Sequence, residues 1–219
     1  MATPNTDGID TSRHQTLSTT TSFPPLTFAM HKVSEGRTWG DPELREFATV
    51  YRNSPQIKHV GFYHYMRSDS PAGDQVINFI NQFEKVCGYL LPGEFIVCDW
   101  ERDSAGGIAK VSEVEAWCNA VASYLTEKGY TDAHNRIGVY SAPWVTGFST
   151  WRKRNPKKAL FLANYRTNRL LPFNGWAESS RWDATVWQWT SSGIVGGIAN
   201  RVDVNHVHNW SWFRWLETA

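Results

Sequence analysis

The chain is poor in cysteine: Cys87, Cys98 and Cys118 are the three thiols in 219 residues. That is too few, at the wrong spacing, for a disulfide framework or a metal knuckle, and they are read as small core residues. No apolar stretch approaches the ~20 residues a membrane-crossing helix needs, so no membrane role is expected. The opening M-A-T-P-N-T-D-G-I-D lacks the basic and apolar regions of a secretory signal. Charge is balanced, with 22 Lys and Arg against 21 Asp and Glu and a net of +1. Without a basic field, nucleic acid is not an expected partner. The dense basic stretch W-R-K-R-N-P-K-K at 151–158 reads as a solvated connection that could attract an anionic polymer. Internal repeats are absent. His206 and His208 share a strand face without a third ligand motif, so no metal or cofactor is expected.

Aromatic residues, by contrast, are plentiful: 12 Trp, 8 Tyr and 11 Phe exceed what one core of this size ordinarily needs. Some rings are therefore expected to line a surface, where their faces stack on sugar C–H groups or on bases. The balanced charge favours sugar. Length fits one domain, residues 1–219, with a sizeable core and no separate wall-binding module.

Strand-like and helix-like segments alternate, which predicts an α/β fold with a parallel sheet. Strands are expected at L-T-F-A-M-H-K-V, H-V-G-F-Y-H-Y-M, F-I-V-C-D-W-E, R-I-G-V-Y-S, A-L-F-L-A-N-Y and A-T-V-W-Q-W. One helix is predicted after Asp41 as N-cap, with Pro42 at its first position. A second runs from Asp74 to Leu91 on apolar spacing. A third is signalled by Ser112 and Glu115 as a capping box, with Gly129 as its stop. The second half is less regular: the strands at 159–165 and 184–189 have no convincing helix between them, and I-V-G-G-I-A-N-R-V-D-V-N reads as a hairpin.

Acids mark the strand ends. Asp10 closes G-I-D, Glu35 lies in V-S-E-G, Asp99 and Glu101 follow F-I-V-C, and Asp203 sits in R-V-D-V-N. Side chains alternate along a strand, so Phe95, Val97, Asp99 and Glu101 share one face and Trp100 points to the other. Burying carboxylates is costly unless they are paired or lie at an open edge, which places the pair where a strand surfaces into a cleft. In a β/α barrel the C-terminal strand ends converge, so these distant acids can meet. Paired carboxylates beside aromatic rings suit glycoside hydrolysis. Repulsion and desolvation should raise one pKa of the pair, assigned to Glu101.

The ordered motifs G-I-D-T-S-R-H-Q, F-Y-H-Y, D-W-E, G-V-Y-S, L-A-N-Y, V-W-Q-W-T-S-S-G and V-D-V-N resemble those of glycoside hydrolase family 25, the Chalaropsis-type lysozymes, over roughly residues 8 to 207. The resemblance implies an irregular, flattened β/α barrel. It also implies a peptidoglycan hydrolase that cleaves the β-1,4 bond between N-acetylmuramic acid and N-acetylglucosamine. Carried over by position, the catalytic acids fall on Asp10, Asp99, Glu101 and Asp203, with Glu101 as the acid/base. Candidate substrate-binding residues are Glu35, Tyr63, Tyr65, Tyr140, Asn164, Tyr165, Trp187 and Gln188. Glu35 is equally able to cap a backbone turn. Of Tyr63 with Tyr65, and of Trp187 with Trp189, one of each set is a candidate to face sugar, although core packing is the commoner role for any one ring.

Strand spacing alone leaves retention and inversion open. The preferred route is substrate-assisted: the sugar's 2-acetamido oxygen attacks while Asp99 orients the acetamide. Two alternatives stand beside it, a non-catalytic glycan-binding module and a chitinase-like hydrolase, whose D-x-x-D-x-D-x-E run is missing here. The expected partner is bacterial peptidoglycan and the expected state a monomer. Such a protein would reach the wall either as a bacteriophage endolysin released from the host cytoplasm through a holin pore, or by secretion with its signal removed.

Overall fold

The computed structural model describes residues 3, 6–20, 22–165 and 182–218. Its strands are β1 (Gly8–Thr11), β2 (Leu26–Glu35), β3 (Trp39–Gly40), β4 (Ile57–Tyr65), β5 (Phe95–Asp99), β6 (Ile137–Ser141), β7 (Leu160–Ala163), β8 (Val186–Gly193) and β9 (Val202–Val207). Its α-helices are α1 (Leu44–Asn53), α2 (Ala72–Cys87), α3 (Val111–Glu127), α4 (Phe148–Arg154) and α5 (Ser211–Leu216). The sheet runs β1-β9-β8-β7-β6-β5-β4-β2-β3, and β1 also pairs with β2. That last pairing closes eight strands into a barrel, with β3 appended at the rim. Most pairs are parallel, but β9 runs antiparallel to both β1 and β8. The predicted hairpin is this β8–β9 unit. The predicted absence of a helix before β8 concerns residues 166–181, outside the described residues.

The interior is built in layers, as strand alternation dictates. Phe28 on β2, Phe95 on β5 and Phe161 on β7 meet with ring centroids 5.7–5.9 Å apart. Two glycines make that layer possible. A Cβ at Gly8 would overlap the Phe28 ring, and one at Gly61 would overlap Phe95 and Met30. Phe213 of α5 stacks on Phe28 from below at 5.4 Å, so the last described helix plugs the end of the barrel where the parallel strands begin. Two residues further along the strands come Met30, Tyr63 and Val97, then Lys32, Tyr65 and Asp99. Aromatic and aliphatic side chains thus fill one end and polar ones the other.

Outside the barrel, Phe79, Phe83, Val114, Trp117, Val121 and Leu125 are buried between α2, α3 and the sheet, as their helical spacing predicts. Trp100 does face away from the acids: it is fully buried, donates its indole N–H to the Ala109 carbonyl at 2.8 Å, and meets Trp151 edge-on at 6.1 Å. All three cysteines are buried.

Three local readings need correction. First, α1 starts at Leu44 and not at Pro42. The Asp41 carboxylate does accept the Glu43 N–H, but it is also held by the Arg13 N–H and by His31, which delays entry into the helix. Second, Ser112 lies inside α3, whose N-cap is Lys110 with no side-chain cap. The neighbouring Glu113 instead accepts the Ala72 N–H at the start of α2, at 2.7 Å. Third, W-R-K-R-N-P-K-K at 151–158 is a connection only from Asn155 on, where Pro156 and Lys157 are exposed; W-R-K-R is helical. It is the end of α4, where Trp151 and Arg152 are buried and the Arg152 guanidinium donates to the carbonyls of Asn155, Lys158, Trp182 and Asp183.

Candidate active site

The polar layer lines a cavity of about 100 Å³ at the C-terminal ends of the parallel strands. Asp10, Asp99, Glu101 and Asp203 all face it, together with Tyr63, Tyr65, Tyr140 and Gln188. Register explains the convergence. Antiparallel pairing sets Asp10 directly opposite Asp203, and parallel pairing places Asp99 between Tyr65 of β4 and Tyr140 of β6. The strand ends at Asp99, so Glu101 reaches the cavity from the bend that follows and not from the strand itself.

Two arrangements of acid share this space. Asp10 is held: its Oδ2 accepts the Gln188 amide at 2.8 Å and the Asn205 amide at 2.7 Å, and Asp203 hydrogen-bonds to it. Gln188 is oriented in turn, because its carbonyl accepts the hydroxyls of Tyr140, at 2.8 Å, and of Tyr165. Burial nevertheless lifts the Asp10 pKa above the ordinary range, those hydrogen bonds opposing. Asp203 is pushed up to about 9 by burial and by the charge of Asp10, so the two carboxyls hold a proton between them.

The other pair is bare. Asp99 is buried, and its Oδ1 has no hydrogen-bond partner. Burial first, and then the charge of Glu101, hold its pKa well above 3.8, with Lys32 opposing. Glu101 is pushed up to about 7 by burial, again against Lys32. Both members of the pair are therefore raised, not Glu101 alone, because both are shielded from water by the tyrosine walls.

Lys32 and Asn205 belong to the site but were not among the expected residues. Among the described residues Lys32 is the single cation lining the cavity. Its ammonium lies 4.5 Å from the centre of the Tyr65 ring and 5.8 Å from that of Tyr63. A lone Lys following L-T-F-A-M-H, in step with Phe28 and Met30, was the available signal. Asn205 was signalled by standing two residues beyond Asp203.

Other expected residues lie elsewhere. Glu35 does not line the cavity, nor does it cap a turn through its carboxylate: it pairs with Lys32 and Arg67, each at 3.4 Å. Trp187 faces outward and is buried, because Gln188 takes the inward position beside it, and its indole donates to the Asn164 carbonyl at 3.1 Å. The Asn164 side chain is buried away from the cavity lining, while Tyr165 reaches the site through its hydroxyl. Among the described residues no tryptophan lines the cavity. Its aromatic walls are Tyr63, Tyr65 and Tyr140, while Trp100, Trp117, Trp151 and Trp187 are in the core.

This arrangement has counterparts among known proteins. A curated relative, Lysozyme M1 of Streptomyces globisporus, is 24% identical over 189 residues, which are 82% of this chain and 59% of the relative. The chain thus spans about 59% of that relative's length. The crystal structure of a bacterial lysozyme from Streptomyces coelicolor superposes with a TM-score of 0.66 at 20% identity, covering 96% of each chain. The catalytic domain of an endolysin from a Listeria monocytogenes bacteriophage superposes at 0.67 with 18% identity, covering 97% of each. Those two likenesses show the fold. The sequence profile of glycosyl hydrolases family 25 matches residues 9–198, a span that starts one residue before Asp10, includes Asp99 and Glu101, and covers most of the barrel: the chain belongs to glycosyl hydrolases family 25.

Proposed function

We propose that this protein is a peptidoglycan hydrolase, a muramidase cleaving the β-1,4 bond between N-acetylmuramic acid and N-acetylglucosamine, with the substrate's own 2-acetamido group as nucleophile. The observation that carries the mechanism is the buried, unpartnered Oδ1 of Asp99 beside Glu101. An acceptor left without a donor in a closed site costs about 1–3 kcal/mol. A ligand that brings an N–H to that atom recovers the loss, and the acetamide of the sugar has one.

Glu101 is suited to general acid work, since a pKa of about 7 keeps a large protonated fraction near neutrality. It gives its proton to the glycosidic oxygen as the bond to the anomeric carbon breaks. The acetamide oxygen attacks that carbon from the opposite face, and the ring that forms makes the acetamide N–H acidic. Asp99 accepts a hydrogen bond from this N–H and stabilises the positive charge more in the transition state than in the ground state. A donor at Oδ1 also favours the ionised form of Asp99, drawing its pKa down from the raised value of the free site. Glu101 then takes a proton from the water that opens the ring, and two displacements leave the β configuration retained. Asp10 is held by the Gln188 and Asn205 amides, and Gln188 in turn by the Tyr140 and Tyr165 hydroxyls.

Digestion of purified peptidoglycan tests the assignment. New reducing ends should appear on muramic acid and no free amino termini should be released. Reducing ends on glucosamine, or free amino termini, would contradict it.

A further inference from the structure

A second and larger cavity, of about 560 Å³, lies away from the acids, within the size range of ligand pockets, about 300–1,000 Å³. It sits between α3, the end of α4 and α5, over Ile137 at the start of β6 and Ala159 just before β7. Tyr140, three residues along β6 from Ile137, lines the catalytic cavity. At about 3.3 Å per residue the two sites are therefore separated by roughly 10 Å of strand and lie toward opposite ends of the barrel.

The lining has a definite chemistry. Arg154, Lys157 and Lys158 contribute three cations against one acid, Glu115. Arg154 is only loosely engaged: its side chain is 63% exposed and stands 3.8 Å from Glu115. Lys158 uses one donor on the His134 carbonyl at 3.1 Å, and Lys157 is exposed. A basic residue in the last turn of α4 offsets the helix dipole, which accounts for Arg154 but not for the two lysines beyond the helix. The opposite wall is aromatic. Trp212 is anchored by its N–H on the Asn135 carbonyl at 2.7 Å, and Trp215 carries the Arg136 guanidinium 5.9 Å from its ring centre. Indole surface beside mobile cations and exposed amides such as Asn119 is the combination that receives sugar rings bearing negative charge.

We propose that this cavity is a second carbohydrate site, one that holds an anionic glycan whose charge is a phosphodiester or a carboxylate. The indoles take the sugar faces and Arg154, Lys157 and Lys158 take the anion. With this site at the far end of the barrel, a bound polymer leaves the catalytic cavity unobstructed, so the protein can stay attached to a charged matrix while it works on a different strand.

The site is tested by calorimetry on the intact Glu101→Gln chain, in which turnover is suppressed, so that binding at this cavity and hydrolysis at the other stand or fall separately. The probes are a glucosylated poly(glycerol phosphate), an oligogalacturonate, a neutral chitin oligosaccharide and a single-stranded oligonucleotide. At least one anionic glycan should bind, weakening with salt, and the choice between the two identifies the anion. Arg154→Glu with Lys157→Glu should weaken that binding by roughly tenfold or more. Lys157→Glu alone, at an exposed side chain, should weaken it by a smaller factor, and both changes made in the otherwise native chain should leave hydrolysis of short soluble glycans unchanged. Failure of both anionic glycans to bind, affinity indifferent to the charge reversals, or an oligonucleotide binding as tightly as the glycan would each overturn the proposal.

Discussion

The run D-W-E-R-D places three acids at two-residue intervals, yet the structure treats the last unlike the first two. Asp103 accepts the Ser68 N–H at 2.9 Å, the Ser68 hydroxyl at 2.6 Å, and the Ala105 and Gly107 N–H groups at 2.9 Å each. Although burial acts against it, this set of donors draws its pKa down to about 2. Asp99 has an oxygen with no donor at all, and Glu101 stands beside it at about 7. One side chain type, four residues apart, is made into a fixed strut in the loop and a reactive acid in the cavity. The difference lies in the donors and not in the strand. Asp103 is satisfied within the fold, whereas Asp99 keeps an acceptor that the proposed substrate would satisfy.

The largest expected break in that comparison is Glu101→Gln, which removes the transferable proton while keeping the shape. Its rate on peptidoglycan should fall by at least about a hundredfold, with glycan binding retained. Asp99→Asn should cost nearly as much, and the loss should fall on kcat more than on KM, because the amide cannot supply the charge that the transition state needs.

The pH profile sharpens the contrast. The general-acid role proposed for Glu101 requires its protonated form, so the rate should decline as pH rises through about 7. Lys32 lowers the pKa of both Glu101 and Asp99. Its replacement, Lys32→Met, should therefore move the alkaline limb upward, by about one unit, as for loss of an opposite charge nearby. A limb that stays in place in Lys32→Met would show that the cation does not tune the pair.

Stability offers the smallest effects, with opposite signs at the two kinds of acid. Raised folded-state pKa values, as at Asp203 near 9, mean that the folded chain keeps protons the unfolded chain has lost above about pH 4, so this cluster costs stability as pH rises from about 4 toward 9. Asp203→Asn should raise Tm by a few degrees at pH 8 and by little near pH 4. At Asp103 the folded pKa is depressed, so its contribution is present above about 4 and lost as pH falls through about 2. Asp103→Asn should lower Tm most near neutrality. Thermal melts of Asp203→Asn across pH 4 to 8, and of Asp103→Asn from about pH 2 to 7, test both signs.

Much of this site was legible in the sequence because strand alternation and strand ends are local properties. Asp10, Asp99 and Asp203 each lie on a strand that carries its acid into the barrel, and motif order tied them together. What was not legible depended on partners far along the chain. Lys32 looks like a surface residue until the barrel closes and turns its face inward. Glu35 carries the same strand-end signal as the catalytic candidates, but the register shift between Lys32 and Ser34 and the reach of Arg67 make it an ion-pair partner. Trp187 and Gln188 are neighbours on opposite faces, and only the pairing register decides which faces in. The tryptophan excess was read as a sugar surface, whereas packing α3 and α4 around the barrel buries Trp117 and Trp151, and Trp100 with them. Asp41 and Ser112 each have the composition of a helix cap, but Asp41 is also bound by the Arg13 N–H and His31, while α3 starts ahead of Ser112 and its expected partner Glu115 accepts the Asn155 amide.

The bare Asp99 serves to orient and stabilise the acetamide only if that group is the nucleophile, and the configuration of the first-formed product reports on that step. Proton NMR of a soluble muropeptide glycan, recorded before mutarotation, should show the β anomer of the new reducing end appearing first, and a substrate whose muramic acetamide is a free amine should be almost inert. An α anomer formed first would contradict the account and assign Asp10, Asp99 or Asp203 to activating a water instead.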